Sequence, residues 1–148
     1  MSAAKARAII DDGVFMTLAT ADAEGVPWAS PVWYAPDGYS ELLWVSDPNA
    51  RHSRNIAVRP QIAIVIFDSR QTPGDGLAVY MEARAEQAGA DGLEVFNARG
   101  AAQGLSEWGP EKVREPARHR LYRAVVSGHW VLRDDIDERT PVNPQPGV

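Results

Sequence analysis

The stretch Leu42-Leu-Trp-Val-Ser-Asp-Pro-Asn-Ala-Arg-His-Ser-Arg-Asn-Ile-Ala-Val-Arg-Pro-Gln-Ile-Ala-Ile-Val-Ile-Phe67 decides how this chain folds. It reads as an apolar strand, a polar turn, a short helix and a second apolar strand. The first strand ends at Ser46 and the turn runs through Asp47-Pro48-Asn49. Arg59-Pro60 stops the helix, because a residue before proline is pushed out of the helical region. The strand Gln61 to Phe67 is apolar on both faces, so each face needs a cover. One face can line a closed barrel, while a helix or a second subunit covers the other. In the short helix, Arg51, His52, Ser53, Arg54 and Asn55 crowd the first turn. Free backbone N–H groups and the positive end of the helix dipole already favour an anion there.

Outward from this stretch the chain continues in strand-length pieces. Upstream, Val14 to Ala21 and Trp28 to Ala35 read as strands, separated by the hairpin chemistry of Asp22-Ala-Glu-Gly-Val-Pro27; Pro36-Asp-Gly38 marks the next turn. Ser2 is suited to cap an opening helix in which Ala6, Ile9 and Ile10 share a face, with Gly13 at its C-terminal end. Downstream, Leu77 to Ala88 reads as a strand. Asp91 to Arg99 reads as a helix, with Asp91 and Glu94 spaced like a capping box. Gln103 to Pro116 is loop-like, and Arg118 to Arg133 is a strand pair or one strand bent at Ser127-Gly128. Together these elements predict a mainly β (α+β) fold, a small antiparallel barrel of about six strands with short flanking helices. One domain is expected over residues 1–139, with a proline-rich tail over 140–148.

Composition narrows the functional classes. A net charge of -5 leaves no electrostatic footprint for nucleic acid or an anionic membrane. The chain has no cysteine, which excludes disulfides, thiolate metal sites and cysteine nucleophiles. The opening Met1-Ser-Ala-Ala-Lys-Ala-Arg-Ala-Ile-Ile10 lacks a signal-peptide run, and nothing later is long and apolar enough to span a bilayer, so a cytoplasmic place is expected. No serine sits in a nucleophile elbow, and His119 and His129 lack metal-ligand spacing. Asp134, Asp135, Asp137 and Glu138 read as a solvated acidic face. Trp44 is a packing residue more readily than a ligand contact, whereas Trp33 suits either role.

Three pieces of sequence, in this order, resemble the pyridoxamine 5'-phosphate oxidase-like FMN-binding split barrels. They are Phe15-Met-Thr-Leu-Ala-Thr-Ala-Asp with Gly25-Val-Pro-Trp-Ala-Ser-Pro-Val-Trp-Tyr34; Leu43-Trp-Val-Ser with Arg51 to Pro60 and Ile62-Ala-Ile-Val-Ile; and Leu121-Tyr-Arg-Ala-Val-Val-Ser-Gly-His-Trp-Val-Leu132. The resemblance implies a Greek-key-like split barrel that binds its cofactor at a homodimer interface. In such proteins an arginine–lysine pair after the third strand holds the flavin phosphate, and here those positions are Arg51 and His52. Arg51 keeps the forked, permanently charged donor that suits phosphate. His52 donates one hydrogen bond when neutral and gains charge toward acid pH, so cofactor affinity is expected to be pH-sensitive. The resemblance further places Ser30, Pro31, Val32 and Trp33 along the isoalloxazine ring and Ser46 near the phosphate or ribityl chain. Asn55 supports the turn, and Trp130 approaches from the other subunit.

The function so implied is that of an FMN-dependent oxidoreductase acting on a small-molecule substrate or electron donor. A deazaflavin of the F-420 type is the alternative cofactor, and a non-catalytic flavin-binding or storage module is the alternative role. Haem, as in some split-barrel relatives, would need an axial ligand from His52, His119 or His129. The oxidases that act on pyridoxamine phosphate itself end in a segment near Arg-Leu-x-Pro, which Arg139-Thr-Pro-Val-Asn-Pro144 does not reproduce. No acid, base or catalytic residue is assigned. Five tryptophans and a strand apolar on both faces exceed what one small barrel hides, which points independently to a homodimer.

Overall fold

The computed structural model describes residues 2–74, 76–132 and 137–146, apart from the side chain of Ser2. The expected Ser2 cap, and the Asp134 and Asp135 part of the acidic face, therefore lie outside what is described. Eight strands and three α-helices follow in the order α1 (Ser2–Asp12), β1 (Phe15–Ala21), β2 (Pro27–Trp33), β3 (Ala35–Asp37), β4 (Glu41–Ser46), α2 (Arg51–Val58), β5 (Gln61–Phe67), β6 (Ala78–Gln87), α3 (Leu93–Ala102), β7 (Arg120–Leu132) and β8 (Arg139–Val142).

All strands belong to one antiparallel sheet in the order β2-β1-β5-β6-β7-β4-β3, with β8 added against β7. Its two end strands, β2 and β3, are separated in the chain by Tyr34 alone. A sheet whose opposite edges are joined by one residue must curl round on itself. This is the expected split barrel. About six strands become eight because Tyr34 divides the anticipated strand Trp28 to Ala35, and because the chain beyond Leu132 returns as β8. The anticipated boundary at residue 139 falls on that strand. Val142 packs against the core and the Pro144 carbonyl accepts a hydrogen bond from Arg7, so part of the proline-rich segment is sheet rather than tail.

Alternation fills the barrel. Met16 and Leu18 of β1, Ile62, Ile64 and Ile66 of β5, and Val79 and Met81 of β6 form one buried cluster with Trp44 and Tyr122. A second cluster lies outside the barrel, where Leu93 and Phe96 of α3 cover Ala35, Leu43 and Leu121. Successive residues Leu42, Leu43 and Trp44 thus alternate between two cores. The Asp91–Glu94 capping box does not form, since neither end residue makes a side-chain cap. Residues Ala90–Gly92 form a 3-10 turn ahead of α3, and the Asp91 carboxylate accepts from Arg123 at 3.3 Å instead. The bend expected at Ser127-Gly128 appears as a bulge, where the β6–β7 register shifts between Glu82 and Ala83.

Gly13 closes α1 by donating its N–H to the Ile9 carbonyl at 3.1 Å. Its φ is not positive; space is what demands glycine. A Cβ there would collide with the Tyr34 hydroxyl, which donates a 2.6 Å hydrogen bond to the Ile10 carbonyl in the buried core. Burial pushes the Tyr34 phenol well above its ordinary pKa, so it stays a donor at all working pH values. Gly13→Ala should therefore destabilise the fold by about 1–3 kcal/mol, the range for overpacking a core. A urea unfolding midpoint equal to that of the unaltered protein would refute this account.

Candidate functional site

The first turn of α2 presents its N–H groups without a side-chain cap. Ala50 at the N-cap is extended (φ -60, ψ 149) and offers no side-chain acceptor. The turn before it is fixed locally: the Asp47 carboxylate accepts from the Asn49 N–H at 2.8 Å, and its carbonyl accepts from Ala50 at 3.0 Å. Arg118 pairs with the same carboxylate at 2.7 Å, and these bonds hold Asp47 below the usual carboxylate range. The acid next to the helix start is thereby neutralised before any ligand arrives.

Arg51 is exposed, and its guanidinium lies over an aromatic ring. Its Cζ sits 4.1 Å from the centroid of the Trp28 ring, itself 41% exposed, on β2. Among the described residues no carboxylate is within ion-pair distance of Arg51. Arg54 is exposed on the same helix, while Arg59 turns back to the β1–β2 hairpin, donating to the carbonyls of Asp22 and Ala23.

His52 takes a different place from the second cation anticipated there. It is buried, and its Nε2 lies 2.9 Å from the Ser46 hydroxyl. Burial holds its pKa below the ordinary histidine value, so the ring is neutral where free histidine begins to charge. The expected acid-side gain of charge is accordingly displaced to lower pH. Ser46 and His52 are brought together, but with each other. Asn55 is buried too, and donates to the Thr20 hydroxyl at 3.0 Å; Thr20 in turn donates to the Trp28 carbonyl at 3.3 Å. This relay ties α2 to β1 and β2, and keeps Trp28 beside Arg51.

The β2 residues Ser30, Pro31, Val32 and Trp33 stand on an edge strand, paired on one side by β1. Because the Tyr34 N–H bonds to the Val14 carbonyl, the N–H groups of alternate residues 32, 30 and 28 face β1 as well. Pro27 and Pro31 fall on the open side, where a missing N–H breaks no ladder bond. The open edge then keeps the donors of Ala29 and Trp33. Val32 is core, and the Trp33 ring is held against α3, edge-on to Phe96 at 5.0 Å with Nε1 donating to Gln103 at 2.7 Å. Trp44 is packing, stacked on Tyr122 with centroids 5.6 Å apart.

Trp130 does not join this group within one chain. Cross-strand partners run in one row, Pro31–Thr17–Val65–Tyr80–Trp130, so all five share one sheet face. Four strand spacings separate the ends, roughly 19 Å along the sheet. Sequence reasoning named Arg51 but missed Trp28 and Thr20, which carry no local signal and matter only through tertiary contact.

A sequence profile described as pyridoxamine 5'-phosphate oxidase matches residues 2–129. The chain belongs to that family. Among curated proteins none matches it significantly in sequence. Solved structures share its fold. A haem-binding protein from Mycobacterium smegmatis is 23% identical with a TM-score of 0.72, over 97% of this chain and 58% of that one. The chain thus spans little more than half of the mycobacterial protein. The haem storage protein HutZ from Vibrio cholerae is 21% identical with a TM-score of 0.68, over 86% and 92% of the two chains. An F-420 reductase is 17% identical with a TM-score of 0.63, over 83% and 94%. At such identities these three speak for the fold alone.

In this pyridoxamine 5'-phosphate oxidase family member, the buried imidazole also has a consequence for stability. With the folded pKa of His52 depressed, the unfolded chain binds more protons just below about pH 6.5. Stability is therefore complete above that value and falls as pH drops toward the folded pKa. His129 acts in the same direction, desolvation outweighing the bond of its Nε2 to the Tyr39 carbonyl at 2.7 Å. Thermal midpoints between pH 7 and pH 5 should fall, and His52→Gln should make that slope shallower. Equal slopes for the two proteins would remove His52 from the account.

Proposed function

We propose that this chain is a homodimeric FMN-dependent oxidoreductase whose cofactor lies between the subunits, with Arg51 as phosphate anchor. The observation that carries the reading is Arg51 itself: an exposed guanidinium with no carboxylate partner among the described residues, at the uncapped start of a helix and beside an open strand edge. A guanidinium fork with adjacent helix N–H groups suits a phosphate dianion. The Ala29 and Trp33 donors and the carbonyls of the β2 edge suit the polar rim of a flavin ring. FMN, when bound, supplies the electron or hydride transfer for which no side chain here is equipped. The protein's part is to bind, orient and exclude water. Substrate or electron donor is a small molecule that reaches the exposed flavin face, and a cytoplasmic setting belongs to the same proposal. No helix among the described residues is long and apolar enough to cross a membrane.

The dimer is supported by the uncovered side of β1 and β5. Ile62, Ile64 and Ile66 face the core, leaving Ala63, Val65 and Phe67 outside. Beside them stand Phe15 and Ala19 of β1; Phe15 is 59% and Phe67 52% exposed. The helix that covers an outer sheet face, α3, lies over β3, β4 and β7 instead. Two-fold pairing of these faces would bury the apolar surface and carry the partner's row of residues toward β2. Light scattering at micromolar concentration should give twice the 16.2 kDa subunit mass, and Phe15→Glu with Phe67→Glu should lower it to one. A single-subunit mass for the unaltered protein would overturn the dimer.

An F-420 type deazaflavin is the alternative occupant, since its phosphate suits the same guanidinium. The spectrum of the purified protein, and mass spectrometry of what it releases on denaturation, separates the two. Arg51→Ala should weaken FMN binding by about 1.5–3 kcal/mol, the scale for a hydrogen bond to a charged group. An unchanged dissociation constant would remove Arg51 from the site.

A second reading is a module that binds or stores its cofactor without turnover. It is favoured by the placement of His52, the titratable ring nearest Arg51 in sequence, which is buried against Ser46 and not presented as an acid or base. For haem, His52 and His129 commit Nε2 to internal hydrogen bonds, which leaves His119, edge-on to Trp108 at 5.5 Å, as the histidine candidate for an axial ligand. Reduction of the bound cofactor by NAD(P)H or reduced deazaflavin, followed by acceptor turnover, decides between enzyme and module.

A further inference from the structure

We infer that Trp28 is a positioning residue for Arg51: its indole face holds the guanidinium so that the N–H edges stay turned to a phosphate. The inference rests on the phosphate-anchor reading of Arg51 and adds what gives that anchor its selectivity. An exposed arginine ordinarily samples many rotamers, and fixing it on ligand binding costs side-chain entropy. A guanidinium whose Cζ lies over a ring, 4.1 Å from its centroid, is restrained by an attraction that consumes none of its five N–H donors. A carboxylate partner would order the side chain equally well but would consume those donors and cancel the charge. None of the described carboxylates does so at Arg51, whereas Arg118 and Arg120 each engage one and Arg123 engages two.

The ring is itself fixed from beneath. Trp28 lies opposite Thr20 in the β1–β2 register, and its carbonyl accepts from the Thr20 hydroxyl. Thr20 also accepts from Asn55 of α2 at 3.0 Å. One relay therefore sets the distance between the strand carrying the ring and the helix carrying the cation. The contact between ring and cation is thus set by the spacing of two hydrogen-bonded elements. Its consequence is selectivity for a phosphorylated over an unphosphorylated flavin.

The test uses the full chain and two probes, FMN and riboflavin, titrated by flavin fluorescence at one pH. Trp28→Leu keeps apolar bulk but removes the π face. It should weaken FMN about two- to fivefold, the exposed cation–π range, and leave riboflavin unchanged. Trp28→Phe should retain most of the difference between the probes. In an Arg51→Ala background, Trp28→Leu should cost FMN nothing further, because the ring then has no cation to hold. Equal loss for FMN and riboflavin would make Trp28 a direct ring contact and overturn the inference. A loss on Arg51→Ala with none on Trp28→Leu would overturn it while leaving the anchor intact. No loss on Arg51→Ala would overturn anchor and inference together. Circular dichroism checks the fold; should Trp28→Leu not fold, the same cycle with Trp28→Phe carries a smaller change of the same pattern.

Discussion

The hydrogen bond from the Tyr34 hydroxyl to the Ile10 carbonyl, 2.6 Å long and fully buried, sits where the architecture is decided. Tyr34 is the one residue between the two edge strands, so the point that it occupies is where the sheet stops being a ribbon and becomes a barrel. Its hydroxyl fixes that point to the last turn of α1, and a buried phenol left without an acceptor would cost the desolvation of the group. The bond thus constrains the residue after the helix to be glycine, the helix to lie across the barrel, and β2 to end up as an open edge. The open edge is what puts Trp28 next to the start of α2. Fold and site share one joint.

Much of this architecture was legible because strand alternation is a local signal. Gln61 to Phe67, apolar on both faces, reads as a strand that needs two covers, and the breaks at Asp22 to Pro27 and at Ser127-Gly128 mark a hairpin and a bend; which face of β5 turns inward came from the structure. Tyr34 was not legible as a break: it is aromatic, sits between strand formers, and its role depends on a carbonyl in α1. Asp91 and Glu94 had capping-box spacing, yet the helix starts later because Asp91 is drawn to Arg123 from a neighbouring strand. Thr140 to Val142 looked like tail because proline is rare inside sheets. Pro141 fits because β8 is an outermost strand. In each case a tertiary partner overrode a local preference.

The site divides along the same line. The chemistry of a helix start, which is local, pointed to Arg51, His52, Ser53, Arg54 and Asn55 as a group, and the family resemblance singled out Arg51 and His52. His52 and Asn55 sit on the same short helix, and their inward orientation follows from α2 closing over β1, which is not local. The one-letter order Arg-His suggests two cations side by side; successive residues on a helix point about 100° apart, so a helix lying on a barrel exposes one and buries the other. What looked like a doubled anion seat is one guanidinium above a buried neutral relay. Burying a histidine next to the proposed phosphate seat has a use: the neutral ring holds the strand end through Ser46 without adding a charge that would need its own counter-ion.

The proposed cofactor site and the proposed dimer form a single hypothesis, because neither is complete alone. Within one chain the row from Pro31 to Trp130 spans four strand spacings, far more than one aromatic side chain reaches. Arg51 and the β2 edge therefore form half of a site with no opposite wall. A two-fold operation on the apolar face of β1 and β5 supplies that wall from the same residues that make the row, and it does so twice. Ligand and subunit association then become linked: a molecule that touches both subunits stabilises the dimer by the mass-action term for binding the associated state alone. The exposed apolar face of β1 and β5 and a cation that no described carboxylate pairs are, on this argument, two consequences of one interface.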